Sequence, residues 1–175
     1  MNLWHEIDPG KNAPDGINVI VEIPKGSQNK YEYDKDYNVF RLDRVLFSPI
    51  HYPGDYGMVP QTLGQDGDPL DALVLVTYPT HPGTLIHARP IGLLDMVDGG
   101  EEDEKILCVP LHDIRLSAIT DLADIQQPIL DEIAHFFEVY KKLEGKKVEL
   151  RGWKHAPQAH MVIQEAIDRY NTSQS

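Results

Sequence analysis

Three carboxylates stand within six residues in the segment Asp66-Gly-Asp-Pro-Leu-Asp71. Gly67 and Pro69 favour a turn there, and the apolar run 72–77 that follows predicts a strand that anchors the turn. Carboxylates that converge on a turn at a strand edge can bind a hard divalent cation. The EF-hand pattern is excluded because its sixth position would be Asp71 rather than glycine. An Asp-rich surface turn without any ligand is the alternative interpretation.

A second acidic cluster holds six acids in the ten residues 95–104, and Lys105 follows it directly. Lys105 also begins the apolar run 105–110, which predicts a strand. A lysine that follows the acids and enters an apolar strand is expected to be held in place rather than to move freely in solvent. The alternative is an ordinary solvated acidic loop.

A third group of charged residues lies around Glu22, which interrupts the β-branched run 18–24. A carboxylate on a buried strand face must be paired or bound to a metal, because burying it bare costs several kcal/mol. Side chains alternate along a strand, so Lys30 and Glu32 would share one face. The alternative is an edge strand on which Glu22 faces solvent.

A fourth group, Tyr52 and Tyr56, flanks a Pro-Gly turn that could aim both hydroxyls at one place, although ordinary aromatic packing would explain the same pattern. Taken together, the four groups combine clustered carboxylates with isolated lysines, an arginine and tyrosines. This mixture suits a small, highly charged phosphate substrate that is held between metal cations and basic side chains.

The charge balance excludes several other classes of partner. The chain has 175 residues, with 16 Lys and Arg against 28 Asp and Glu, which gives a net charge of −12. No basic run is present, so nucleic acids and anionic membrane surfaces are not expected as partners. The one cysteine, Cys108, lies in an apolar run and predicts a buried structural thiol rather than a disulfide. Without a signal-like N-terminus, we expect a cytoplasmic protein.

The elements that must position these residues divide the chain into two parts. Short β-type runs broken by Gly, Pro and Asp dominate residues 17–110, with one more candidate strand at 147–151. Apolar residues at helical spacing predict helices over 128–143 and 156–170. We therefore expect a single domain over residues 1–175 of α+β class, mainly β, built as a small antiparallel barrel or sandwich with C-terminal helices.

The motifs together resemble family I soluble inorganic pyrophosphatase. The pattern consists of Glu22-Ile-Pro-x-Gly-Ser-x-x-Lys30-Tyr-Glu32, Tyr52-Pro-x-Asp-Tyr56-Gly and Asp66-Gly-Asp-Pro-x-Asp71. The chain length resembles that of the bacterial type. The resemblance implies an enzyme that hydrolyses pyrophosphate to two phosphates with Mg²⁺. It also implies an OB-like five-stranded barrel with flanking helices, and a homohexamer.

The resemblance further implies a role for each residue of the site. Five acids would be metal ligands: Asp66, Asp71, Asp98, Asp103 and Glu32. Among them Asp71 would bridge the two ions that hold the attacking water, and Glu32 would act through water. Asp68 would be the general base. The phosphoryl groups would contact Lys30, Arg44, Tyr56, Lys105, Tyr140 and Lys141, with Glu22 and Tyr52 in support.

A formal tally of these candidates gives seven acids and four bases, or −3, to which pyrophosphate adds about −3 to −4 near neutral pH. Several divalent ions would be needed to balance the sum. Two alternatives stay open. One is another metal-dependent phosphohydrolase that acts on nucleotides or polyphosphate, and the other is a non-catalytic cation-binding protein.

Overall fold

The computed structural model describes all 175 residues, which form nine strands and two α-helices. In chain order the elements are β1 (Ile17–Ile23), β2 (Asn29–Asp34), β3 (Val39–Val45), β4 (Asp55–Met58), β5 (Asp71–Val74), β6 (Leu85–Asp98), β7 (Glu101–Glu102), β8 (Lys105–Pro110), α1 (Gln127–Val139), β9 (Val148–His155) and α2 (Ala156–Ser173). Neither helix has both the length and the apolar character that crossing a bilayer requires.

Five of the strands close into a barrel, because each of them has a hydrogen-bonded neighbour on both edges. β1 pairs antiparallel with β4 and with β6, and β4 pairs antiparallel with β5. β5 and β8 run parallel, and β8 returns antiparallel to β6, which completes the ring. The predicted OB-like five-stranded barrel with C-terminal helices is confirmed. It is not wholly antiparallel as expected, because β5 and β8 run parallel.

The remaining strands lie outside the ring. β6 has 14 residues and is therefore long enough to pair with β9 and β7 as well as with the barrel. β2 and β3 form a separate two-stranded hairpin. Its residues are mostly exposed or half-buried, so its sequence lacks the apolar pattern of the barrel strands.

The two helices cover separate hydrophobic cores. Successive residues of a strand point to opposite faces, and Leu73 and Leu107 therefore join the core under α1 while Ala72 and Ile106 join the core under α2. Cys108 belongs to the second core, as predicted, and burial raises the pKa of its thiol.

The predicted element boundaries differ from the observed ones at the site. The helix predicted over 128–143 ends at Val139, and a 3-10 turn spans Lys142–Glu144. Tyr140 and Lys141 both contact Asp98, so tertiary contacts override the local helical pattern there. The strand predicted over 72–77 ends at Val74, and the last strand runs to His155 instead of residue 151.

Candidate active site

A cavity of about 350 Å³ is lined by residues from the hairpin and from the ends of the barrel strands. Twelve of the fourteen site residues predicted from the sequence line it: Glu22, Lys30, Glu32, Tyr56, Asp66, Asp68, Asp71, Asp98, Asp103, Lys105, Tyr140 and Lys141. Tyr52 and Arg44 are the two that do not. The fold therefore brings together residues from distant segments of the chain.

The parallel pair β5–β8 forms the centre of this cavity. Asp71 and Lys105 begin the two strands and lie opposite each other in the register. The Lys105 side chain is only 4% exposed, and its Nζ donates to Asp71 Oδ2 at 2.7 Å and Asp103 Oδ1 at 2.7 Å. It also donates to the Tyr56 hydroxyl at 2.9 Å. The sequence prediction that this lysine is held in place is confirmed.

The ionisation of this cluster reflects burial and mutual charge. Burial by itself lowers the pKa of Lys105, but the neighbouring carboxylates of Asp71 and Asp103 raise it well above its ordinary value. Loss of hydration raises the pKa of Asp66 and of Asp103, and the charge of Asp71 raises both further. Lys105 is thus a cation at neutral pH, surrounded by carboxylates that repel one another.

The loop before β5 holds two further carboxylates at the cavity. Gly67 has φ +86°, and the Asp68 amide donates to Asp66 Oδ1 at 3.0 Å. The loop is thus an Asx turn, as the surface-turn interpretation predicted. It also lines the cavity, as the interpretation as a cation site requires. The Asp68 carboxylate is 65% exposed and accepts from Lys35 Nζ at 2.6 Å.

The end of β1 and the strand β2 form another wall of the cavity. Lys30, Glu32 and Glu22 all line it, as expected if Lys30 and Glu32 share a face. Glu22 accepts from the Tyr33 amide at 2.8 Å and thereby ties the hairpin to the barrel. Loss of hydration raises the pKa of Glu22 to about 7. Glu22 does not lie on an edge strand, since β1 pairs on both sides.

The acidic segment after the middle of β6 contributes Asp98. Its carboxylate pairs with Lys141 Nζ and accepts from the Tyr140 hydroxyl at 3.3 Å. Asp95, another acid of this segment, pairs instead with Lys154 on β9 at 2.9 Å and does not line the cavity. Lys141 therefore points into the site rather than into solvent.

The two predicted residues outside the lining differ in their surroundings. Tyr52 is 1% exposed, and its ring packs 5.5 Å from that of Tyr56, between centroids. Arg44 pairs across the hairpin with Lys30 in the register. Its guanidinium lies against Asp43 and is 2.9 Å (Nε to Oε1) from Glu144.

Four polar residues line the cavity without having been predicted: Tyr31, Tyr33, Lys35 and Glu101. Lys35 lies in the turn that follows β2, and Glu101 is one of several acids in the segment 95–104. A turn lysine and one acid among many have no distinguishing spacing in the sequence. Alternation along β2 is the one local pattern that bears on Tyr31, and it predicts that Tyr31 lies on the face opposite to Lys30. It therefore gave no signal for Tyr31.

The cavity has the donor chemistry that divalent cations and phosphate require. Eight carboxylates and four lysines line it, which gives a formal charge of −4. Carboxylate oxygens are the hard ligands that Mg²⁺ prefers. The carboxylates do not converge as a ready-made cage, because the ammonium groups of Lys105 and Lys141 lie between them. The residues fit a cation-dependent site for a small polyanion.

Comparisons with known proteins agree with this chemistry. The model of the family described as inorganic pyrophosphatase matches residues 19–171. A relative from Synechocystis sp., named inorganic pyrophosphatase, is 53% identical over 154 residues, which cover 88% of this chain and 91% of the relative. A relative of the same name from Haloferax volcanii is 52% identical over 97% of both chains.

The fold of this chain is also similar to that of a solved structure. The crystal structure of inorganic pyrophosphatase from Thermus thermophilus matches with a TM-score of 0.95 and 44% identity. The match covers 98% of this chain and 99% of that one. This chain is therefore similar to these proteins in sequence, length and fold alike.

Proposed function

The chain belongs to the inorganic pyrophosphatase family, of the bacterial type, and from that premise we propose that its cavity is where it hydrolyses pyrophosphate to two phosphates. The observation that carries the proposal is the meeting of eight carboxylates and four lysines in about 350 Å³. A site of this composition can hold cations and phosphoryl oxygens at the same time. The catalytic unit is proposed to be the whole chain, residues 1–175.

Dependence on divalent metal is general to the family, and we propose Mg²⁺ as the ion. Asp66, Asp71 and Asp103 would hold two ions, with Asp71 shared between them. Asp98 would bind a further ion together with Asp103, and Glu32 would serve another through water. The support is the acids' location on adjoining walls of one cavity and their mutual repulsion, which cations would relieve.

When bound, the cations would lower the pKa of water at the site from about 15.7 toward about 7 and shield the charge of the substrate. Asp68 accepts the proton of the attacking water in this proposal. Its carboxylate suits this role because it lines the cavity, is 65% exposed and has Lys35 as its one side-chain partner.

The lysines and tyrosines would bind the phosphoryl oxygens. Lys105 with Tyr56, and Lys141 with Tyr140, form two pairs of donors at the cavity, and Lys30 adds a fifth donor from β2. Their ammonium groups can exchange a carboxylate for a phosphoryl oxygen, since both are anionic acceptors. These fixed donors would stabilise the charge that develops during phosphoryl transfer.

The remaining candidates would act from the edge of the site. Arg44 would contact a phosphoryl group after releasing Asp43, to which it is now paired. Tyr52 would support Tyr56 by packing against its ring. Glu22 would support the hairpin through the Tyr33 amide.

Phosphate release from pyrophosphate, ATP and tripolyphosphate in the presence of Mg²⁺ tests the substrate. We expect pyrophosphate to give by far the highest kcat/KM, because the proposed contacts are all to cations and phosphoryl oxygens and none is to a nucleoside. Equal values for ATP would favour a broader phosphohydrolase. Cation binding without phosphate release from any of the three would favour a non-catalytic cation-binding protein.

We also propose that the chain assembles as a homohexamer in the cytoplasm. Apolar side chains are exposed along β3 and just after it, at Val39, Leu42, Val45 and Phe47. A second copy of the chain could cover them. Sedimentation equilibrium should give about six times the 19.8 kDa chain mass, and a monomer would contradict the proposal.

A further inference from the structure

Lys35 joins two parts of the molecule that are distant in sequence, the N-terminal segment and the loop before β5. Its Nζ lies 2.6 Å from Asp68 Oδ1 and 4.4 Å from the centroid of the Trp4 ring. We propose that Lys35 is a positioning residue that orients the Asp68 carboxylate, and that Trp4 holds Lys35 for this purpose. The inference rests on the proposed function, in which Asp68 is the general base.

The backbone of Asp68 is held by two hydrogen bonds, whereas its carboxylate is hydrogen-bonded to only one other side chain. Its amide donates to Asp66 Oδ1 at 3.0 Å, and its carbonyl accepts from the Gly64 amide at 2.7 Å. The carboxylate, by contrast, is 65% exposed and is hydrogen-bonded by Lys35 alone. Without Lys35, no hydrogen bond from another side chain would select one rotamer of this carboxylate.

The backbone of Lys35 is itself held by a hydrogen-bonded turn. The Asp34 carboxylate accepts from the amides of Asp36 and Tyr37, both at 3.0 Å. The Asn38 amide donates to the Asp34 carbonyl at 2.8 Å and closes the turn. The backbone from which the Lys35 side chain extends toward Asp68 is therefore held in place.

Hydrogen bonds also hold Trp4 in place. Its Nε1 donates to the Thr62 carbonyl at 2.9 Å, and its own carbonyl accepts from the Gln61 amide at 2.8 Å. The preceding amide, of Leu3, donates to the Tyr33 hydroxyl at 2.9 Å. A cation over an indole face is attracted by the ring quadrupole, so Trp4 restrains the ammonium group of Lys35, which lies 4.4 Å from the ring centroid.

Steady-state kinetics of Lys35→Met with saturating Mg²⁺ tests the first part of the inference. We expect kcat to fall roughly two- to fivefold, the range that an exposed ion pair supports. The KM for pyrophosphate should change little, because the lost interaction orients a base and does not hold the substrate. Lys35→Arg should restore most of the loss. Lys25→Met is the matched control, since that lysine's side chain is exposed and forms no ion pair.

A double-mutant cycle with Asp68→Asn distinguishes positioning from a general effect. If Lys35 acts through Asp68, then Lys35→Met should have almost no effect on kcat in the Asp68→Asn background. Equal effects in both backgrounds, or a rise in KM at constant kcat, would overturn the inference. Normal turnover of the single variant Asp68→Asn would instead contradict the proposal that Asp68 is the general base. The two failures can therefore be told apart.

Trp4→Leu tests the second part. It should lower kcat in the same direction as Lys35→Met but by less, and it should add nothing to Lys35→Met. Trp4→Phe keeps an aromatic face and should retain most of the activity. Circular dichroism and the melting temperature must match those of the unmodified protein, so that a folding defect is not mistaken for lost orientation. A Trp4→Leu enzyme with full kcat would refute the role of Trp4.

Discussion

Carboxylates are withdrawn from solvent in two regions of this molecule, and each region satisfies them with a different kind of partner. Asp55, at the start of β4, is 0% exposed and accepts from the amides of Lys25 at 2.8 Å and Thr80 at 3.0 Å, and from the Thr80 hydroxyl. In the cavity, Asp71 and Asp103 accept from the single ammonium of Lys105.

The difference separates structural from reactive acids. Backbone amides are fixed by the fold, so a carboxylate that accepts from them cannot change partner without local unfolding. An ammonium on a flexible side chain can turn to another anion, which leaves its carboxylate available to a cation. The acids of the cavity should therefore carry the activity, and the backbone-bound acids should carry stability.

The largest expected effect is on turnover, in Asp68→Asn. Loss of a general base should lower kcat by roughly 10²- to 10⁴-fold while the fold and the Mg²⁺ affinity remain. Initial rates of phosphate release, with Asp36→Asn as a control in an exposed turn, measure it. Near-normal turnover would remove Asp68 from the role.

The opposite pattern is expected for Asp55→Ala. Three hydrogen-bond donors lose their acceptor, so the free energy of unfolding should fall by about 3 kcal/mol. Urea denaturation measures the loss, and Asp36→Ala is the control. The kcat of the folded fraction should stay within about twofold of the unmodified value. A stable but inactive Asp55→Ala protein would break the division between the two kinds of acid.

Asp71→Asn should act first on the cation. Removing one negative ligand should raise the Mg²⁺ concentration for half-maximal activity by at least about tenfold. A titration with Mg²⁺ at saturating pyrophosphate measures the change. An unaltered Mg²⁺ dependence would exclude Asp71 as the shared ligand.

The smallest expected effect belongs to another backbone-bound acid, Asp121, which accepts from the amides of Ala156 at 2.9 Å and Ala123 at 3.0 Å. Asp121→Ala should cost about 1 kcal/mol, as for other helix caps. The Ala156 amide, followed by that of Ala123, lowers the pKa of Asp121 in the fold. Its stabilisation is therefore complete above the unfolded pKa of about 3.9 and declines as pH falls below it. If Asp121→Ala lowered the free energy of unfolding by the same amount at every pH, this pH dependence would be contradicted.

The sequence predicted the parts of this structure that have a local signature. Periodic apolar residues located both helices, because each helix buries one face. Apolar runs located the barrel strands β1, β5 and β8, whose side chains are largely buried, but no such run marked β4. The hairpin β2–β3 escaped that pattern because most of its side chains are partly or wholly exposed. Similarly, the turn signals around Gly67 marked the acidic loop of the site.

What the sequence could not supply is the pairing of distant segments. Asp71 and Lys105 meet through the parallel register of β5 and β8, and no local pattern fixes that register. The contact of Lys35 with Asp68 depends likewise on where the hairpin packs. Motif resemblance identified most of the cavity, but it could not reveal a residue that no motif contains.

The central claim is that the cavity's carboxylates serve cations for pyrophosphate hydrolysis, and titration of the chelator-treated protein with Mg²⁺ tests it most directly. We predict negligible phosphate release without added Mg²⁺ and full recovery as Mg²⁺ is restored. Phosphate release that persists unchanged in excess chelator would contradict the account, as would Mg²⁺ binding that produces no turnover of pyrophosphate.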